Sequence, residues 1–153
     1  MIQELQLCAQ IEEVVRDIYT FLAEGAETQD LARFWRDLAD DESEHINLIR
    51  FASRLDDVAF DGFARSAGEL RALLFKARDV SDLVQGRIWQ LPDLVDLLAS
   101  LEREFMVLHA ALMARFVDDA MRRLFEQLGQ GDEKHLARLE SLAGELRAGN
   151  DDT

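Results

Sequence analysis

The chain is poor in the residues that most other architectures need. Proline occurs once, at Pro92, and glycine eight times in 153 residues. No window alternates apolar and polar residues with the period of a strand. The abundance of Leu, Ala, Glu, Asp and Arg favours helices over a strand-and-turn fold. A single cysteine, Cys8, excludes an internal disulfide and a four-thiolate iron site. A reducing compartment is therefore expected, with Cys8 as a small core residue. No run approaches the ~20 apolar residues of a membrane span, and Met1-Ile2-Gln3-Glu4 lacks the basic and apolar segments of a secretory signal. The expectation is a cytoplasmic protein without membrane contact. Basic residues are also scarce: 17 Lys and Arg against 31 Asp and Glu leave a formal net charge of −14. Such a charge repels phosphate backbones and anionic lipid, which argues against nucleic acid and membrane partners and makes cations the natural small ones.

What is present is a chain of one-domain length, residues 1–153, with 48% hydrophobic residues. Leu5, Cys8, Ile11, Val15, Ile18 and Leu22 recur at helical spacing, which predicts a helix from Ile2 to about Ala26. Thr28 is placed to cap a second helix from Gln29 to about Leu55. Pro92 suits the first turn of a third, running to about Arg115, and Asp118 can cap a last one ending near Gly149. The hairpins 2–55 and 92–149 are joined by a crossover, 56–91, containing Gly62, Gly68 and Gly86. An amphipathic piece from Glu69 to Val80 predicts an extra short helix there. So long a connection suits an all-α four-helix bundle whose second hairpin starts at the end opposite to where the first finished.

The chemistry emerges when Ala9 to Arg50 is laid over Ala99 to Glu140 without a gap. Glu12 then falls on Glu102, Glu42 on Asp132, His45 on His135 and Tyr19 on His109, a set holding all three histidines and the sole tyrosine. Glu42 and His45 are one turn apart on one helix face, as are Asp132 and His135, so each pair can converge on one ion. Glu12 and Glu42 are equidistant from a turn near Glu27, and Glu102 and Asp132 from one near Val117. At ~1.5 Å per residue, antiparallel neighbours then carry these groups at one level of the bundle. On composition alone, two such triplets arise about once in six hundred chains. Surface acids and histidines that merely coincide are therefore the weaker reading.

Four buried carboxylates without a cation would each cost several kcal/mol or take up a proton. Two divalent ions bring four positive charges to match them. Oxygen and imidazole ligands without thiolate suit two iron ions, with manganese as the alternative and zinc as an in vitro occupant.

These residues resemble the ferritin-like superfamily, specifically its rubrerythrin and bacterioferritin branch. The motif there is a Glu, a Tyr seven residues later, then Glu-x-x-His, stated twice. Glu12, Tyr19 and Glu42-Ser43-Glu44-His45 match it fully. Glu102, His109 and Asp132-Glu133-Lys134-His135 depart at two positions. The resemblance implies that Glu12 with His45 ends one metal site and Glu102 with His135 the other, while Glu42 and Asp132 bridge. Asp132, one methylene shorter, can instead serve one ion. Tyr19 would be a hydrogen-bond donor to a ligating carboxylate or a source of an electron, and His109 its counterpart or a seventh ligand. Asp41 resembles the outer partner of a ligating imidazole, a task the matching Gly131 cannot perform. Trp35, Trp89, Phe105 and Phe125 read as packing around the site, and Glu44 and Glu104 as solvent-facing acids, while Glu133, about 100° round the helix from Asp132, is the poorer candidate for a ligand. Phe105 stands where rubrerythrins often carry another Glu.

The function implied by this resemblance is an oxidoreductase with a di-iron centre that reacts with hydrogen peroxide or dioxygen, or oxidises ferrous iron. Its electrons would come from an external donor protein, and a homodimer is expected rather than a large storage shell. A metal-stabilised bundle acting as a protein-interaction module is the alternative, and a hydroxylase a weaker third.

Overall fold

In the computed structural model, residues 2–54, 64–114 and 118–151 are described. They form five helices, α1 (Ile2–Glu24), α2 (Gln29–Ser53), α3 (Ala64–Gly86), α4 (Leu91–Met113) and α5 (Asp119–Asp151). The expected periodic residues of α1 are all buried. Thr28 caps α2, its hydroxyl accepting from the Leu31 N–H at 3.2 Å. Asp118 caps α5 in the same manner, accepting from the Met121 N–H at 3.0 Å. Pro92 lies in the first turn of α4, where its missing N–H costs no helical bond. The expected helix ends at Leu55 and Arg115, Gly62, and the turn centre at Val117 lie outside the described residues.

The helices form an all-α, ferritin-like bundle. α1 pairs with α2 and α4 with α5, and α2 and α5 also approach each other. Surface ion pairs follow the same neighbour map: Arg50 with Glu13, Arg103 with Glu140 (2.7 Å), and Arg138 with Asp37 (3.6 Å). Exposed pairs of this kind contribute little to stability. The apolar seams carry the packing, with Leu38, Ile49, Val95, Leu98, Leu128 and Leu139 fully buried.

The crossover differs from the short helix expected over Glu69–Val80. α3 has 23 residues and runs the length of the bundle, which returns the chain to the end where α4 begins. Leu70, Leu73, Leu74, Ala77, Val80 and Val84 face inward against α1 and α4. Gly68 does not break α3, because the apolar stripe continues past it and burial outweighs the ~1 kcal/mol propensity cost of one glycine. Among the described residues no Cα of α1 comes within 8 Å of a Cα of α4. Long polar side chains meet across that wide seam, and α3 packs on both helices.

If α3 is part of the core, Leu70→Ala lowers the unfolding free energy by about 2–5 kcal/mol. Phe75→Ala, on a side chain 64% exposed, changes it by less than about 0.5 kcal/mol. Urea unfolding monitored by circular dichroism checks both, and equal small effects would show α3 to be an appendage.

Candidate metal centre

Each of the four bundle helices sends polar side chains into the middle of the core: Glu12 and Tyr19 from α1, Glu42 and His45 from α2, Glu102 and His109 from α4, Asp132 and His135 from α5. None is more than 7% exposed. They assemble into three overlapping groups, each with ligand atoms within 4.8 Å of one another: Glu12, Glu42 and His45; Glu42, Glu102 and His135; Glu12, His109 and Asp132. Glu42 is shared between the first two groups, as a bridging carboxylate would be. Asp132 does not span to Glu102 and His135. It is shorter than a glutamate and lies 2.6 Å from Nδ1 of His109, which holds it beside Glu12.

The atoms are close but badly aligned for bonding to one another. Nδ1 of His135 lies 2.9 Å from Glu42 and 3.8 Å from Glu102; Nδ1 of His45 lies 3.3 Å from Glu42 and 3.8 Å from Glu12. Yet both Nδ1 atoms, both Glu42 oxygens, Oε1 of Glu12, Nε2 of His109 and Oδ1 of Asp132 lack a hydrogen-bond partner. A dry interior seldom leaves so many polar atoms unsatisfied. Their lone pairs converge on common points, which is what cations between them require. The oxygen and imidazole donor set fits divalent iron or manganese.

The outer nitrogens of the rings differ between the halves. Nε2 of His135 donates to Asp41 at 3.2 Å, which turns Nδ1 inward. His45 has Gly131 in that place. A Cβ at Gly131 would come within 2.7 Å of Cε1 of His45 and closer still to Nε2. The glycine thus supplies space where the other half supplies a carboxylate. A cleft of about 590 Å³ reaches both ring edges there, rimmed by Asp41, Glu44, Glu126, Arg123 and Lys134.

The counterparts Tyr19 and His109 each reach across to a carboxylate of the opposite hairpin. The Tyr19 hydroxyl donates to Oε1 of Glu102 at 2.5 Å, and Nε2 of His109 lies 3.8 Å from Oε1 of Glu12. Since Nδ1 of His109 donates to Asp132, its Nε2 lone pair faces the interior, and His109 joins the cluster directly. Phe105 and Phe125 pack on the His109 ring, with centroids 4.0 and 5.8 Å away, while Trp35 stacks on Tyr19. Trp89 is half-buried at one end of the bundle and does not line the cluster. Glu44, Glu104 and Glu133 are exposed.

Two features escaped the sequence reading. One is the steric need for Gly131, signalled only by a glycine inside a helix next to Asp132. The other is buried Glu4, which continues the Glu12 and Cys8 face by steps of four residues.

Protons partly neutralise the cluster. Burial, reinforced by Glu42, raises the Glu12 carboxyl well above its usual range, and the same causes push Glu102 up to about 8. Glu42 is held below the usual range despite burial, because Glu12, His135 and His45 crowd around it. His135 is raised to about 9 against the opposing effect of burial by Glu42, Glu102 and Asp41. Burial pushes the Cys8 thiol up, which makes it inert.

The rubrerythrin family profile matches residues 5–143, nearly the whole chain. The chain belongs to the rubrerythrin family. Its fold is similar to a crystal structure from Thermotoga maritima, described as a candidate ferritin-like diiron-carboxylate protein. Identity is 18%, the match covers 94% of this chain and 95% of that chain, and the TM-score is 0.73. At that identity the likeness shows the shared fold alone. Curated protein sequences provide no match. Rubrerythrin-family membership and the three Glu/His groups together imply a di-metal site. No helix among the described residues is long and apolar enough to cross a membrane.

Metal-free protein of this family member should lose stability as pH rises. Glu102 and His135 both bind their protons more tightly folded than unfolded, so their contributions are complete below the unfolded values of 4.5 and 6.5. They vanish as pH passes about 8 and 9. The melting temperature of the metal-free form should fall from pH 6.5 to 9, and Glu102→Gln should flatten the part below 8. A flat profile in the parent would refute this charge assignment.

Proposed function

We propose that this rubrerythrin-family chain is a di-iron redox protein that reduces hydrogen peroxide or dioxygen, with ferrous iron oxidation as the related reaction of the same centre. The observation that carries the reading is the convergence of buried, unpartnered carboxylate and imidazole atoms from four helices on shared points. Glu12 and His45 would hold one ion, Glu102 and His135 the other, and Glu42 both. Asp132 and His109 would complete the side occupied by Glu12. When bound, two ferrous ions supply the electrons for cleaving an O–O bond.

The protein's own groups have definable tasks. Tyr19 fixes Glu102 by donating to it, and Asp41 fixes the His135 ring. His109 holds a proton at Nδ1 against Asp132. Phe105 and Phe125 exclude water from that side, which strengthens every electrostatic interaction within. Phe105 offers no carboxylate where many relatives have one, so the ligand set is smaller on α4 and relies on His109. With one cysteine and no thiolate cluster, the chain draws electrons from an external donor.

Anaerobic loading with ferrous iron should reach two ions per chain and release protons at pH 7, since Glu102 and His135 hold protons there. Elemental analysis and calorimetry in buffers of different ionisation enthalpy measure these. Stopped-flow mixing with peroxide and with dioxygen then separates the oxidants, and oxidation by neither would sink the enzymatic reading. Glu42→Ala should abolish tight binding of both ions.

Gly131→Ala separates the site from the fold. Alanine improves helix propensity by about 1 kcal/mol, which offsets the cost of moving the His45 ring toward the cleft, so the metal-free melting temperature should change little. The added methyl displaces His45, and iron affinity should fall about tenfold or more, as for lost ligand support elsewhere. Unchanged affinity would show that His45 does not bind iron in this orientation.

A further inference from the structure

At the end of the bundle where α1 turns into α2 and α3 into α4, a second pocket of about 490 Å³ opens. That is the size of sites that bind small cofactors. Its walls are the rings of Phe21, Trp35 and Trp89, completed by Leu31, Pro92 and Leu146. Two charged residues line it, Arg87 and Glu27.

Arg87 is unusual in its backbone and in its company. Its φ is 53°, the one positive value among described non-glycine residues, in a conformation that glycine adopts at less cost. Its N–H donates to the Val84 carbonyl at 3.1 Å, and the same carbonyl accepts from Nε1 of Trp89 at 3.0 Å, so one atom closes α3 and orients the indole. The guanidinium lies over the Phe21 ring, 5.6 Å from its centroid. Among the described residues it forms no ion pair with a carboxylate, in a chain with 31 acids. The exposed guanidinium lies over one ring of the pocket, meets no carboxylate among the described residues, and is placed to receive an anion whose flat portion lies along the aromatic walls.

The inner wall leads to the centre. Trp35 is 1% exposed and stacks on Tyr19 at 5.8 Å with an 18° interplanar angle, and the Tyr19 hydroxyl donates to Glu102. We propose that this pocket binds an aromatic anion of the flavin nucleotide class, whose electrons, in its reduced form, would pass by way of Trp35 and Tyr19 to ions held in the carboxylate and imidazole cluster. Its ring lies against Trp35 and Trp89 and its phosphate on Arg87. The delivery step rests on the redox reading above; the binding does not. A reduced flavin releases two electrons and two protons, and hydrogen peroxide takes up both pairs as its O–O bond breaks to give two waters. The sum closes without another reactant.

Flavin mononucleotide titrated into metal-free protein should quench tryptophan fluorescence to saturation, and riboflavin, which lacks the phosphate, should bind about tenfold more weakly. Arg87→Gly relieves the backbone, so its melting temperature should equal or exceed the parent's, while affinity for flavin mononucleotide falls by a similar factor. No saturable quenching, or undiminished affinity in Arg87→Gly, overturns the site. In oxidised, iron-loaded protein under anaerobic conditions, the rate of reduction by reduced flavin mononucleotide should saturate over the range in which it binds. At saturating reduced flavin, Trp35→Phe should slow the limiting rate, with saturation confirmed by equilibrium dialysis of the variant. A rate linear in flavin, or the same rate in Trp35→Phe, overturns the electron route. Protein that binds flavin but takes up no iron would support the pocket and refute the di-iron centre.

Discussion

Four carboxylates within one dry helical core repel one another and cannot all keep their charge, and much of the architecture answers to that constraint. In the absence of cations the cluster compensates by protonation: Glu102 holds a proton, burial drives Glu12 the same way, His135 keeps its own, and Glu42 remains the anion they surround. This arrangement is self-consistent but leaves many buried atoms without aligned partners. Cations at the shared points would replace those protons and satisfy the orphaned lone pairs together. The same constraint bears on packing. Glutamate, tyrosine and histidine side chains meeting end to end need a wider seam than leucines do, which matches the separation of α1 from α4. A full-length α3 packed on both is the chain's response, since a short helix could not cover a seam of that length.

The two halves repeat one design with three linked departures. Where α2 has Glu42, α5 has the shorter Asp132; where α1 has Tyr19, α4 has His109; where α2 has Asp41, α5 has Gly131. Asp132 and His109 compensate each other, because the shorter acid is tied by the ring that replaces the phenol, at 2.6 Å. Gly131 then acts on the other ring. With no side chain at that position, His45 lies over the α5 backbone, its outer edge facing the cleft, whereas Asp41 pins His135. One imidazole is held by a hydrogen bond and the other by the shape of the space available. Ligand exchange and cation entry should therefore be easier on the His45 side.

Much of this was legible in the order of residues, and for definite physical reasons. A period of 3.6 places Leu5 to Leu22 on one stripe, caps such as Thr28 and Asp118 have local signatures, and equal spacing about a turn sets Glu12 level with Glu42. These are short-range constraints. The length of α3 was hidden because Gly68 reads as punctuation in a segment whose burial against α1 and α4 is non-local. The grouping of ligands was hidden too, since level on a helix does not decide which neighbour across the core a side chain meets. Thus His109 takes its place with Glu12 and Asp132, and Asp132 does not bridge toward His135. Gly131 was visible only as a lost hydrogen-bond partner, because a steric vacancy has no spacing rule.

The surroundings of the cluster differ on its two sides, and that difference bears on any redox role. On one side the His45 and His135 edges meet a cleft rimmed by charged residues, a route suited to ions and small hydrophilic oxidants. On another, Tyr19 and Trp35 form a buried aromatic stack that leads to the aromatic-walled pocket at the end of the bundle. A reductant and an oxidant that shared one opening could react with each other before reaching the centre. Separate approaches remove that loss, and an aromatic stack passes electrons while excluding peroxide and water. The pairing of Tyr19 with Glu102 then has a second consequence beyond fixing a carboxylate: the phenol that orients this candidate ligand is also the inner end of the path by which charge would arrive.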